Sequence, residues 1–109
     1  MSKTNKKNQI IDNFYNENYT LIDVRSKEEY VLGHLKGSIN FELEKLFKNY
    51  KIKLNKKSTY LLYCHSGNRS QIAMDFLHSK GYENIFNIGG IIDFPTEMLD
   101  MDNNEENYY

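Results

Sequence analysis

Short apolar runs alternate along this chain with stretches of helical periodicity, and that alternation limits the folds open to it. Tyr19-Thr-Leu-Ile-Asp-Val24 is a β-branched and aliphatic run that reads as a buried strand. Ser38-Ile-Asn-Phe41 is a short extended piece, Thr59-Tyr-Leu-Leu-Tyr63 a second apolar run, and Asn84-Ile-Phe-Asn-Ile88 another strand closed by Gly89-Gly90. Between them, Ser26 can cap a helix with Glu28 and Glu29 in its first turn, stopping near Gly33. Leu43, Leu46, Phe47 and Tyr50 form an i, i+3, i+4, i+7 stripe that predicts a helix over 42–50. Ile72, Ala73, Phe76 and Leu77 form one face of a further helix, with Gly81 as its terminator. Ile10, Ile11 and Phe14 predict a short helix over about 7–16, and Lys51 to Lys57 reads as a basic, solvated connection. Parallel neighbours need crossover helices, so the pattern predicts an α/β fold with a mainly parallel sheet.

The length of 109 residues suits one domain. No apolar run approaches the roughly 20 residues that span a bilayer, and Met1 to Asn8 lacks the apolar core of a secretory signal. A single cysteine excludes an internal disulfide framework and, with no export signal, fits a reducing cytoplasm. A net charge of −1 argues against a general nucleic-acid binder. From Asp93 onward the charged residues are all acids, so 96–109 is expected to be a frayed or disordered acidic tail. No feature of the chain fixes an oligomeric state.

The chemistry concentrates in Tyr60-Leu-Leu-Tyr-Cys-His-Ser-Gly-Asn-Arg-Ser70. A strand ends, a short loop opens on the only cysteine, and a helix follows. Ligands of open α/β sheets sit beyond the carboxyl ends of strands, where Cys64 falls. Gly67 lets the loop turn sharply and lets a ligand approach the backbone. If the loop curls around the sulfur, its N–H groups form an anion nest, and the next helix adds its free donors and the positive end of its dipole. Arg69 adds a fixed charge. Together these lower the thiol pKa and point to a nucleophilic thiolate that can hold negative charge on a bound group.

Cys64-His-Ser-Gly-Asn-Arg-Ser70 resembles the active-site loop of rhodanese-like sulfurtransferases in the single-domain form Cys-x-x-Gly-x-Arg-Ser/Thr. Leu21-Ile-Asp-Val-Arg25, Glu28-Glu-Tyr30, Gly33-His34 and Gly37-Ser-Ile-Asn40 resemble further elements of that family in the same order. Gly89-Gly90 with Phe94 resembles its Gly-Gly-x-x-x-Trp, with Phe in place of Trp. The likeness runs from Leu21 to Phe94, which sets a rhodanese-like domain at 1–95. It implies a small five-stranded, mainly parallel sheet flanked by helices. It also implies transfer of sulfane sulfur through a persulfide on Cys64, with His65, Ser66, Gly67, Asn68, Arg69 and Ser70 forming the anion-binding loop. Thiosulfate or a persulfide would be the donor, a thiol or cyanide the acceptor, and a partner protein could fill either part. No metal or organic cofactor is needed, because sulfur supplies its own polarizable leaving atom.

Spacing separates this reading from cysteine phosphatases. Their cradle is Cys-x5-Arg, whereas here the pattern is Cys-x4-Arg followed by Ser70, and the shorter ring crowds a phosphoryl group. An arsenate reductase would want a resolving thiol, and this chain has no second cysteine. A non-catalytic rhodanese-like module that binds a protein is the alternative from another class. Other roles stay open. Arg69 binds an anion or partners the scaffold, Ser70 caps the helix or touches substrate, and His65 lines the loop or acts as a base. Asp23 and Arg25, at i and i+2, face the mouth of the sheet. They either approach the loop or support it, Asp23 by accepting loop N–H groups and Arg25 by pairing with Glu28 or Glu29.

Overall fold

The computed structural model describes residues 19–101 and 104–109. The helix expected over 7–16 lies outside them. The sheet comprises β1 (Thr20–Asp23), β3 (Ile39–Asn40), β4 (Tyr60–Cys64) and β5 (Ile85–Gly90) in the order β3-β1-β4-β5. Every pairing is parallel, with Ile22 opposite Ile39 and Leu62, and Leu62 opposite Asn87. The expected α/β architecture with a mainly parallel sheet is therefore present. Among the described residues the sheet has four strands, where five were expected. A separate antiparallel ribbon joins β2 (His34–Leu35) to β6 (Leu99–Asp100).

Alternation along β1 and β4 builds one core on each face of the sheet. Ile22, Leu62 and Cys64 face one way, into a cluster with Phe41, Leu46, Ala73 and Leu77. Leu21, Leu61 and Tyr63 face the other way, with Leu35, Ile88 and Phe94. Leu62 and Leu46 have no exposure at all, and each such aliphatic contributes about 2 kcal/mol.

Among the described residues three helices pack around this sheet: α1 (Lys27–Leu32), α2 (Leu43–Lys53) and α3 (Asn68–Ser79). Ser26 caps α1 as expected, in a reciprocal box: its hydroxyl accepts from the Glu29 N–H at 3.2 Å, and the Glu29 carboxylate accepts from the Ser26 N–H at 3.1 Å. Helix α2 runs a turn beyond the expected limit at Tyr50, through Lys53. Lysine is a good helix former, and Lys51 and Lys53 complement the negative end of the helix dipole, so the basic composition extends the helix rather than ending it. The buried face of α3 is Ser70, Ala73 and Leu77. Ile72, expected on that face, is 51% exposed, because Ser70 takes the inward position beneath the loop.

The acidic end does not fray where it is described. Thr96–Met98 forms a 3-10 turn, the Lys36 N–H donates to the Met98 carbonyl at 2.8 Å, and β6 pairs with β2. Tyr108 forms a parallel bridge with Asn40, and the Tyr109 N–H donates to the Asn40 carbonyl at 2.9 Å. The Tyr108 and Tyr109 rings stand edge-on to Tyr30 and Phe41, each 5.3 Å between centroids. The terminal tyrosines cover the β3 edge of the sheet. Acidic composition alone hid this, because the aromatic area lies in the last two residues.

Candidate active site

Cys64 ends β4, and the chain turns through residues 65–67 before α3 begins at Asn68. Gly67 makes the turn with φ +103, a left-handed conformation that side chains rarely adopt. Behind the loop lies the end of β5. A bulge shifts the pairing so that Tyr63 faces Gly89 and Cys64 faces Gly90. A Cβ on Gly90 would stand 2.2 Å from the His65 carbonyl oxygen and 2.5 Å from the Ser66 Cα. The double glycine thus lets β5 support the loop at backbone distance.

The loop amides face the sulfur. The Gly67 N–H donates to Cys64 Sγ at 3.1 Å and the Ser70 N–H at 3.4 Å, with Ser70 Oγ at 3.5 Å. Burial pushes the thiol up, but the hydrogen bonds open to its thiolate, from the Ser70 hydroxyl and from the amides of Ser70, Gly67 and Ser66, outweigh it. The Cys64 thiol therefore lies below its ordinary value. The residue itself is 1% exposed, so a reagent must reach the sulfur through the loop.

Arg69 does not reach for the sulfur. Its guanidinium forks onto Glu29, Nη1 to Oε1 at 2.8 Å and Nη2 to Oε2 at 3.0 Å. That pairing holds the Glu29 carboxyl at about 2, well below the carboxylate range. The bond to Glu29 also raises Arg69, and attraction to Cys64 adds to it more weakly, so the positive charge still favours a thiolate. Of the two roles open to Arg69, the side chain takes the scaffold one directly and anion stabilisation only at a distance.

Asp23 and Arg25 pair with each other rather than with the partners expected from sequence. Arg25 Nε lies 3.0 Å from both Asp23 oxygens, Nη2 lies 2.7 Å from Oδ2, and the Arg25 N–H donates to Oδ1 at 2.9 Å. Asp23 thus accepts from Arg25 instead of from the active loop. Arg25 reaches on to the Gly33 carbonyl at 2.6 Å instead of to Glu28 or Glu29. The pair is buried and braces the floor of the mouth.

His65, Ser66 and Asn68 are exposed. His65 lines a shallow cleft of about 460 Å³ with Arg25, Glu29, Leu32, Ile92 and Phe94. Leu32 and Ile92 on its rim are 76% and 62% exposed. The His65 carbonyl accepts from the Ile92 N–H at 3.4 Å.

Two residues matter here whose partners the sequence does not show. Glu29 stands in the sequence as a first-turn acid and a candidate partner of Arg25, and its place three residues after Ser26 also marks it as the second half of a capping box. Asn87 lies within the strand expected over 84–88. A polar side chain inside Ile-Phe-Asn-Ile needs partners, and Asn87 has four: Ser70, Gly67, Gln71 and Gly89. Among the described residues no three His, Cys, Asp or Glu side chains gather as a metal site. No helix among them is long and apolar enough to cross a membrane.

The sequence profile of the Rhodanese-like domain matches residues 6–94. The chain is 34% identical over 79 residues to the thiosulfate sulfurtransferase PspE of Escherichia coli, covering 72% of this chain and 76% of that protein. It is 38% identical over 79 residues to the adenylyltransferase and sulfurtransferase uba4 of Ogataea parapolymorpha, covering 72% of this chain. It is 34% identical over 103 residues to a tRNA uridine(34) hydroxylase of Pelagibacter ubique, covering 86% of this chain. The chain spans only 20% and 34% of those two longer proteins. Among solved structures, a rhodanese with anions from E. coli superposes with a TM-score of 0.65 at 32% identity, over 72% of this chain and 93% of that one. SSP1007 from Staphylococcus saprophyticus superposes with a TM-score of 0.76 at 25% identity, over 86% of this chain and 94% of that one. With a family profile covering most of its length and a loop of the same pattern closed around its cysteine, this chain belongs to the rhodanese-like domain family.

Proposed function

We propose that the chain is a sulfurtransferase that carries sulfane sulfur as a persulfide on Cys64. The observation that carries this reading is the convergence of the Gly67 and Ser70 amides on Sγ at 3.1 and 3.4 Å. Those donors favour the thiolate before reaction and suit the anionic terminal sulfur after it. The thiolate attacks the outer sulfur of thiosulfate. A new S–S bond forms, the S–S bond of thiosulfate breaks, and sulfite leaves with the electron pair. With a persulfide donor the leaving group is a thiolate. In the second half, cyanide or an acceptor thiolate attacks the terminal sulfur and returns the Cys64 thiolate. No base is needed for a thiol that is already acidic, so His65 lines the entrance and takes no proton. The cycle uses no metal or organic cofactor. Its partners are a small sulfur donor and a thiophilic acceptor, with a protein able to serve as either, and a cytoplasmic setting would keep Cys64 reduced.

The likeness to PspE, over three quarters of that protein, supports thiosulfate as a donor. The Arg69–Glu29 fork weighs against a phosphatase, since the loop arginine there must face the bound phosphoryl group. The test is steady-state release of thiocyanate from thiosulfate and cyanide. Turnover that disappears in Cys64→Ser supports the proposal. Absence of turnover with thiosulfate and with an organic persulfide favours the non-catalytic binding module.

A further inference from the structure

Ser70 has one hydroxyl proton and three acceptors within reach: Asn87 Oδ1 at 2.7 Å, the Gly67 carbonyl at 3.2 Å and Cys64 Sγ at 3.5 Å. The orientation of the Asn87 amide decides among them. The Gly89 N–H, which can only donate, faces one end of that amide at 2.9 Å, so that end is oxygen. The Gly67 carbonyl, which can only accept, faces the other end at 3.1 Å, so that end is nitrogen. A hydroxyl facing an amide oxygen must donate to it. The Ser70 proton therefore rests on Asn87, and a lone pair of Oγ is turned toward the sulfur.

We infer that Asn87 is a positioning residue that competes with Cys64 for the Ser70 proton. While Cys64 is a neutral thiol, Asn87 holds the proton and the Ser70 oxygen can accept from S–H. When the sulfur carries negative charge, as thiolate or as persulfide, the hydroxyl leaves Asn87 and donates to it. Asn87 thereby makes Ser70 a donor that answers to the charge on the sulfur instead of one fixed on it. The persulfide half of this rests on the proposed function; the thiolate half does not.

Among the described residues, the other charged and titratable groups around the loop are Arg69 from α3 with Glu29 from α1, Asp23 with Arg25 at the end of β1, His65 beside the cysteine, and Glu42, Glu44, Lys45 and Lys48 at the start of α2, which share a cleft with Arg69. Strand β5 brings no titratable side chain, and Asp93 beyond it is exposed. The hydrogen bonds of Asn87 go to none of these groups, so substitution at 87 leaves them in place.

The test is the pH profile of Cys64 alkylation by iodoacetamide, which reads the thiol with no sulfur donor present. Asn87→Ala removes the competing acceptor. Its midpoint should move to lower pH, with capture about fivefold faster on the acidic side, the factor that loss of one neutral hydrogen bond implies. Asn87→Asp keeps the acceptor and adds negative charge, so its midpoint should move to higher pH. In a Ser70→Ala background the effect of Asn87→Ala should vanish and that of Asn87→Asp should shrink. A brace that merely stiffens the loop would shift both variants toward a less acidic thiol. That result, an unmoved midpoint in Asn87→Ala, or a shift surviving unchanged without Ser70, overturns the inference. If Asn87→Ala does not fold, Asn87→Asp with and without Ser70 decides alone. Failure of thiocyanate release with these shifts intact would count against the proposed function and not against this proton arrangement.

Discussion

Arg69 and Glu29, forty residues apart, meet in a two-pronged ion pair with both N–O distances at 3.0 Å or less. Because Glu29 also caps α1, the pair ties the start of that helix to the loop around Cys64. A planar fork of this kind is not reproduced by lysine.

The role of the pair is to shape the loop. Arg69→Ala and Glu29→Gln should therefore slow sulfur loading from thiosulfate and from a neutral organic donor by similar factors. Both side chains are about a third exposed, so each change should cost only about 1 kcal/mol of stability. Stopped-flow loading with the two donors checks this. A loss confined to thiosulfate would return the guanidinium to direct anion binding.

The same pair sets a pH dependence. Glu29 is held at about 2, below its reference value of 4.5. A depressed carboxyl contributes stability above its unfolded value, and that contribution is lost as pH falls through the folded value. The stability gap between wild type and Glu29→Gln should be constant at neutral pH and close between 4.5 and about 2. Urea unfolding of both proteins across that range measures it; a gap that widens on acidification contradicts the assignment.

Gly90 should tolerate no side chain. A methyl group there meets loop backbone at 2.2 Å and 2.5 Å, where nothing flexible can give way. Gly90→Ala should lower stability by about 2–3 kcal/mol and return the thiol toward ordinary acidity, since the displaced segment carries the amides. Thermal unfolding and an alkylation profile report the two effects, and a variant that keeps its thiol acidity would show that the loop holds its shape without β5.

Removing Tyr108 and Tyr109 should cost about 2–3 kcal/mol, from two edge-to-face aromatic contacts and one backbone hydrogen bond, and should leave Cys64 reactivity nearly unchanged. A melting temperature equal to that of the full chain would mean the tail does not cover β3 in solution.

The residues that announce themselves by type and spacing were legible in the sequence. Cys64, Gly67 and Ser70 mark a strand, turn and helix, and Ser26 marks the start of α1. The partners those residues choose were not legible. Asp23 and Arg25 could be placed at one sheet mouth from their spacing, yet only the fold turns them onto each other. Arg69 could be placed in the loop, but its fork points to a residue forty positions away. Asn87 was hidden by its apolar neighbours, because strand periodicity records which side chains are buried and not what a half-buried amide holds.

The most direct measurement is the intact mass of the reduced protein after exposure to thiosulfate and then, separately, to an organic persulfide. One added sulfur atom, mapped to the Cys64 peptide, removed by cyanide and missing from Cys64→Ser, is the expected result. A protein whose mass is unchanged by either donor while its thiol remains open to iodoacetamide would contradict the central claim.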